Sequence, residues 1–424
     1  MIKKLIVSLC LLFSLAGFAQ EGTSSPYSYY GIGDIKFKGT VDNRSMGSIS
    51  TLSDSIHFNI QNPAHFASLK LTSLSVGATY ATTRSETETQ EGKARRSSLD
   101  YLAVGIPVGK LGIGFGLIPY SSLGYKIGKT TYVTNDTHTD TIRSIYSKYT
   151  GSGGVNKVFV GLGYKLSKNF NIGADLQYNF GTIETSELQY QNDLQYGSRK
   201  NNESEVRGVN FDIGLTYQAK TSKKHTIFSS ISYTPQSELT LGNTRNIQLV
   251  QLLSSSAVQV IETNEIPISD TKIKMPSKLT MGIGFGQVKK WMIGGDVSLI
   301  NNSVMSNRLT DIDDSEFENS VRYSIGGFYI PNYNSYSDYY KRVVYRGGLR
   351  YENTGLVLKD KSINDFAANF GLGLPLGGTF SNINIGVEIG KRGTKYYNLV
   401  EENYINFSVG LSLSDKWFVK RKYD

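Results

Sequence analysis

The side chains that could do acid–base or metal chemistry are few and scattered in this chain of 424 residues. The four histidines are far apart, and no pair has the spacing of a metal site: His57, His65, His138 and His225. With so few histidines, no Ser–His–Asp type of catalytic group can be assembled. We therefore expect no enzyme activity, no catalytic residue, no bound metal and no cofactor.

Two motifs resemble ligand loops only superficially. An acidic run could offer oxygen ligands to Ca²⁺, but it lacks the glycine and the terminal glutamate of a calcium loop, so we interpret it as a solvated loop. The glycines of Gly112–Gly116 fall on one face of a strand and no helix follows, unlike a nucleotide loop. They are expected to leave room for a packed segment. The acidic run comprises Asp311, Asp313, Asp314, Glu316 and Glu318.

A short segment ahead of the strand-rich part of the chain does not have the sequence pattern of a strand. Asn62 is a good helix N-cap and Pro63 suits the first helical position, so a helix start is predicted there. From position alone, the segment could fill the inside of a barrel or cap a β-domain from outside. Its central residues are Asn62, Pro63, Ala64, His65 and Phe66.

The first residues have the features of a secretory signal peptide. A charged start, the apolar run Leu5–Phe13 and small residues at Gly17 and Ala19 predict cleavage after Ala19. The run is too short to cross a bilayer as a helix, which takes about 20 residues. Cys10, the only cysteine, lies inside this signal, so we expect no disulfide and no thiolate metal site in the mature chain.

The rest of the chain is dominated by apolar–polar alternation. In the stretch 157–180, Val158, Val160 and Leu162 share one face, while Phe159 and Gly161 share the other, which predicts a β-hairpin. The same pattern recurs from residue 71 to residue 413, and the mean hydropathy of the whole chain is only −0.26. Low mean hydropathy with strict alternation is typical of transmembrane β-barrels. A soluble array of β-sandwiches is the structural alternative.

The number of strands and the connections between them favour the barrel. We count roughly 14 strands, an even number in the range of bacterial outer-membrane barrels. Short turns alternate with long polar connections, as expected for periplasmic and extracellular ends respectively. Because a barrel of about eight strands is the tightly filled case, about 14 strands leave room for a plug. The fold class is thus an all-β, antiparallel transmembrane barrel with a short N-terminal plug in the lumen.

These features divide the chain into four parts. We expect a signal peptide at 1–19, a plug segment at 20–70, the barrel at 71–414 and a tail at 415–424. The tail contains Lys420, Arg421 and Lys422, and is either a periplasmic contact or a solvated end. The formal net charge of +9 is spread over turns and loops rather than clustered, so no nucleic-acid partner is indicated.

The best candidate for an apolar site lies in a predicted extracellular connection, between residues 247 and 261. Exposed apolar residues there need a cover. They could pack on neighbouring loops or extend a strand, form a ligand groove, or form a protein interface. The candidate ligand residues are Ile247, Leu249, Val250, Leu252, Leu253, Val258, Val260 and Ile261.

Short motifs along nearly the whole mature chain resemble the FadL/TodX family of outer-membrane transporters for long-chain fatty acids and hydrocarbons. The most specific is Asn62-Pro63-Ala64 ahead of the first strand, although His65 follows where that family usually has a small residue. A Pro-Ser step at 275–282 is also similar. Segments 345–351, 390–393 and 415–418 look like the Bacteroidetes branch. The resemblance implies capture of a hydrophobic ligand outside the cell, passage into the lumen and lateral escape.

Two functions follow as expectations. The first is passive uptake of hydrophobic, fatty-acid-like molecules through a plugged lumen in the outer membrane of a Gram-negative cell. The second is a non-transporting barrel subunit of a larger outer-membrane complex for protein secretion or barrel assembly, since one barrel fold can host several functions. Expected partners are outer-membrane lipid, a hydrophobic small molecule and, in the second case, other proteins of the complex.

Overall fold

The protein forms a closed barrel of fourteen antiparallel strands. The computed structural model describes residues 22–51, 56–134, 141–191, 193–222, 224–253, 258–309, 315–377 and 380–416. The predicted signal peptide, the acidic residues 311–314 and the tail from 417 onward lie outside these ranges. The last strand, Glu401–Asp415, pairs with the first strand, Thr72–Glu86, along their whole length, and this pairing closes the barrel.

The strands follow one another around the barrel, so each hairpin is a pair of neighbours. Prolines at 235, 267 and 276 fall where strands are interrupted, because proline cannot donate to the ladder. The strands are β1 Thr72–Glu86, β2 Glu91–Val108, β3 Leu111–Thr134, β4 Thr141–Lys165, β5 Phe170–Gln191, β6 Tyr196–Lys220, β7 Thr226–Thr234 with Ser237–Leu252, β8 Val258–Ile266 with Thr271–Met275 and Lys278–Gln287, β9 Trp291–Ile300, β10 Ser315–Phe317 with Ser320–Tyr329, β11 Val344–Leu358, β12 Lys361–Pro375, β13 Asn382–Gly393 and β14 Glu401–Asp415.

The two faces of each strand differ as the alternation predicts. On β4, Val158, Val160 and Leu162 are exposed on the outer surface, while Phe159 is buried inside. On β5, Leu176 and Tyr178 point outward and Asn179 is buried in the lumen. An apolar outer face and a polar lumen suit a wall that contacts lipid.

The long polar connections expected between strands are mostly strand themselves. The stretch 121–154 belongs largely to β3 and β4, and 181–207 largely to β5 and β6. Between β11 and β12 only Lys359 and Asp360 form the turn, both with positive φ. Polar residues still pair through their backbones, so the hairpins continue beyond the apolar band.

An N-terminal segment, described at residues 22–51 and 56–71, lies inside the barrel. It contains a 3₁₀ turn Pro26–Tyr29, a short strand Asp34–Ile35, the helix α1 Val41–Arg44 and a 3₁₀ helix Pro63–Ser68. The short strand pairs with Ser121 and Ser122 on the inner side of β3. We call residues 22–71 the luminal segment. No helix in the described parts of the chain is both long enough and apolar enough to span a bilayer.

Candidate functional site: the luminal segment and its cavity

The predicted helix start at Asn62 is the N-cap of the 3₁₀ helix Pro63–Ser68. The Asn62 side-chain oxygen accepts a hydrogen bond from the Ala64 backbone N–H at 3.0 Å. Its amide nitrogen donates to the Ile231 carbonyl at 3.1 Å and to the Leu215 carbonyl at 3.5 Å. One side chain thus caps the helix and fastens it to β6 and β7.

Glycines on the inner wall let this helix lie directly on the strands. A Cβ atom built on Gly173 would stand 2.4 Å from the carbonyl carbon of Pro63, and one on Gly163 would stand 2.6 Å from the nitrogen of Ala67. A Cβ atom built on Gly112 would lie closer still to the Phe66 carbonyl oxygen. Larger residues at these positions would push the helix away from the wall.

The remaining residues of the predicted plug are buried around an aromatic cluster. Phe66 packs against Phe58 with ring centroids 4.9 Å apart, and against Phe159 at 6.4 Å. The His65 ring donates from Nε2 to the Ser50 carbonyl at 2.7 Å. Burial lowers the pKa of His65 to about 4, despite the opposing effect of this hydrogen bond. His65 is therefore neutral at pH 7 and packs as an uncharged ring.

The stretch Asp34–Arg44 of the luminal segment is held by ion pairs rather than by close packing. Lys38 contacts Asp365 of β12 at 3.0 Å, and Arg44 contacts Asp100 of β2 at 2.6 Å. Asp34 and Arg392 of β13 are paired at 2.9 Å. Burial alone would raise the pKa of Asp34, but the charges of Arg392 and the neighbouring lysines outweigh it and hold the pKa below its ordinary value.

Arg350 is the centre of this charged network. Its side chain is fully buried and donates to Glu352 and Asp365 at 2.9 Å and to Glu388 at 3.2 Å. It also donates to the Tyr404 hydroxyl at 3.1 Å. A buried guanidinium with several carboxylate partners is a rigid anchor, because its loss would leave buried carboxylates without enough positive charge beside them.

A cavity of about 220 Å³ lies beside the luminal segment. Lys157, Lys278, Arg322 and Asp212 are among the residues that line it. The Lys157 ammonium lies 4.2 Å from the centre of the Tyr120 ring. The rest of the lining includes many apolar and aromatic side chains, so the cavity is amphipathic.

The start of the luminal segment covers the end of the lumen that we expect to face outside the cell. Tyr27 packs against Leu356, Ile363 and Leu399 near the turns at that end, and its hydroxyl donates to the Val400 carbonyl. Ile32 belongs to a second cluster that includes Leu123 of β3. The described contacts of the segment therefore reach from these turns to the glycine-lined wall beneath the helix Pro63–Ser68.

The candidate ligand residues lie on the outer part of the β7–β8 hairpin. Ile247, Leu249, Val260 and Ile261 are exposed, whereas Val250 is buried and pairs with Val260. Leu253 is exposed, Leu252 and Val258 are half-buried, and residues 254–257 lie outside the described ranges. From Ile231, which contacts Asn62, to Ile247 is roughly 50 Å along β7. The structure does not bring this hairpin together with the plug residues.

The charged contacts were missed by reading the sequence. The alternation does place these charged residues in the lumen. Arg350 lies between the outward residues Leu349 and Tyr351, and Glu388 lies between Val387 and Ile389. Charged residues at lumen-facing positions mark a filled interior, but alternation does not reveal their partners. Among the described residues, no group of three or more His, Cys, Asp or Glu side chains could hold a metal ion.

The BamG family profile matches residues 1–424, the full chain. The chain belongs to the BamG family. No curated protein matches it.

Solved structures similar to this BamG-family barrel include two toluene transporters and a FadL homologue. The Pseudomonas putida toluene transporter TodX has 16% identity and a TM-score of 0.57, covering 90% of this chain and 99% of its own. The Ralstonia pickettii toluene transporter TbuX has 13% identity and a TM-score of 0.55, with coverages of 88% and 98%. A Pseudomonas aeruginosa FadL homologue has 12% identity and a TM-score of 0.56, with coverages of 90% and 99%. These likenesses confirm the expected FadL-like barrel fold.

Proposed function

We propose that this BamG-family barrel is a non-transporting subunit of a larger outer-membrane complex. The observation that carries the proposal is the luminal segment, whose described residues are fastened to the wall both near Tyr27 and at Asn62. The name of the family, BamG, favours barrel assembly over protein secretion as the role of that complex. The barrel would then serve as a rigid membrane-embedded body to which other proteins bind.

The energetics of the luminal segment support a permanently filled barrel. Opening a path by displacing the segment would separate Lys38 from Asp365 and Arg44 from Asp100, two ion pairs that are largely shielded from solvent. It would also expose Phe58 and Phe66, which are almost fully buried.

The test is purification of the native barrel from outer membranes in mild detergent, with mass spectrometry of both co-purifying proteins and bound small molecules. Stoichiometric protein partners without an apolar ligand are expected. A single barrel that carries fatty acid or another apolar molecule, with no protein partner, would overturn the proposal. An unrelated outer-membrane barrel purified from the same membranes controls for non-specific association.

Uptake of hydrophobic small molecules, such as long-chain fatty acids, is the second candidate. The exposed apolar residues of the β7–β8 hairpin favour it, because such a surface outside the cell could collect an apolar ligand. The likeness of the fold to toluene transporters is compatible with it. Replacing residues 247–261 with a polar linker should then abolish uptake of a labelled fatty acid, and unchanged uptake would exclude this hairpin as the capture site.

A further inference from the structure

The outer wall of the barrel carries a notch of about 490 Å³ on strands β9 to β12. Its floor is formed by Gly327 of β10 and Gly347 of β11, which lie directly opposite each other in the ladder. Both glycines share the outer face with their exposed neighbours two residues away. The walls are apolar and lipid-facing: Ile293, Ile325, Leu349 and Phe370.

An aromatic row borders the notch on the periplasmic side. Trp291, Tyr329 and Tyr345 lie in register across β9, β10 and β11, two residues beyond the glycine floor. That offset corresponds to about 7 Å along a strand. Tryptophan and tyrosine at this height mark the boundary between hydrocarbon and headgroups. The notch therefore opens into the hydrocarbon of the periplasmic leaflet, close to its headgroup layer.

Positive charge lies on the two connections just below this row. Lys289 and Lys290 lie in the turn between β8 and β9. Lys341 and Arg342 lie near the end of the connection between β10 and β11. Lys341 is paired with Asp338 at 2.6 Å, and among the described residues the other three cations have no carboxylate within ion-pair distance. The Lys290 carbonyl accepts a hydrogen bond from the backbone N–H of residue 330, which joins the two connections.

We propose that this face is a binding site for one anionic glycerophospholipid of the periplasmic leaflet. One acyl chain occupies the glycine-floored notch, and the phosphate contacts Lys290 and Arg342 at the headgroup level. A basic cluster at the membrane surface selects anionic headgroups. The apolar notch fits an acyl chain but does not distinguish one headgroup from another. The notch and the basic cluster therefore contribute separately to lipid affinity and to headgroup preference. The site does not depend on whether the lumen transports anything.

The notch can be filled without disturbing the barrel. A Cβ atom on Gly347 would meet only the Asn369 carbonyl oxygen, at an ordinary 3.9 Å, so Gly347→Leu should fold normally. Gly327 is unsuitable, because its Cβ would meet the Met292 carbonyl oxygen at 2.1 Å. Ala174→Leu is the matched control, since Ala174 is an exposed small residue on the outer face of β5.

Native mass spectrometry of the delipidated barrel, titrated with phosphatidylglycerol or phosphatidylethanolamine, tests the proposal. Wild type should bind phosphatidylglycerol at least tenfold more tightly than phosphatidylethanolamine. Gly347→Leu should weaken binding of both lipids at least tenfold, and Ala174→Leu should leave both unchanged. The double variant Lys290→Gln with Arg342→Gln should make the two affinities equal, whereas Lys168→Gln on another periplasmic turn should not.

Each contrary result overturns the proposal. Undiminished lipid binding by Gly347→Leu would show that the notch holds no acyl chain. An anionic preference that survives the double charge variant would remove the headgroup site. Loss of a co-purifying protein by Gly347→Leu, with lipid binding unchanged, would make this face a protein interface instead. Unaltered heat-dependent gel mobility of each variant verifies that the barrel is folded.

Discussion

The two parts of the luminal segment are held in opposite ways. The helix Pro63–Ser68 carries no ion pair among the described contacts and lies on a glycine-lined wall, so shape positions it. The stretch Asp34–Arg44 reaches carboxylates and guanidinium groups on β2, β12 and β13, so charge positions it. Shape contacts tolerate no added volume, whereas charge contacts tolerate no missing partner. Different substitutions should therefore release each part.

Removing the centre of the charged network should have the largest effect. Arg350→Met leaves three carboxylates without their guanidinium partner, and breaking such a buried pair costs about 3–5 kcal/mol. The thermal transition of the detergent-solubilised barrel should fall markedly. A cysteine introduced at Ser45, which is buried, should become reactive to a soluble thiol reagent.

The matched control is Arg207→Met, which breaks an exposed ion pair with Glu205. Exposed pairs contribute about 0–1 kcal/mol, so the thermal transition should barely move. Equal effects of the two variants would mean that the luminal network does not hold the segment.

Adding volume under the helix should have the next largest effect. Gly173→Val places a side chain where the Pro63 backbone lies, and overpacking costs about 1–3 kcal/mol. Gly92→Val is the control, since nothing lies within 4 Å of a Cβ there. Limited proteolysis should cut the luminal segment in the first variant only, and resistance of both would contradict the shape argument.

Loss of the cap should be smaller. Asn62→Ala removes the acceptor for the Ala64 N–H, and such caps contribute about 1 kcal/mol. It also removes the amide that donates to β6 and β7, so local hydrogen exchange at residues 63–68 should rise. Asn364→Ala, at an exposed position of β12, should leave that exchange unchanged. If exchange is the same in both variants, Asn62 does not anchor the helix.

The smallest effect at neutral pH concerns His65, whose folded pKa of about 4 lies below the ordinary value of 6.5. Below pH 6.5 the unfolded chain therefore binds a proton at His65 that the folded chain does not bind. The free energy of unfolding falls as the pH drops through this range. Between pH 7 and pH 5.5 the loss should be roughly 1 kcal/mol. His65→Gln should remove this part of the pH dependence of the thermal transition, and an unchanged pH profile would show that His65 does not contribute.

Sequence alone determined the features that depend on near neighbours. Alternation over ten residues assigns each side chain to the outer or inner face, because successive residues of a strand point opposite ways. Val158 and Phe159 were separated correctly on that basis. The cap at Asn62 was likewise readable, since a side chain and the next two residues suffice to form it.

Only the tertiary structure decided which inner residues meet. Lys38 and Asp365 are more than 300 positions apart in the chain, and alternation says that both lie inside without saying that they touch. The notch at Gly327 and Gly347 likewise depends on the register between two strands, and a slip of one residue would turn both glycines to the other face. Local pattern assigns a side chain to a face of the wall, but closure of the barrel assigns its partner, because closure alone sets the distances between residues remote in sequence.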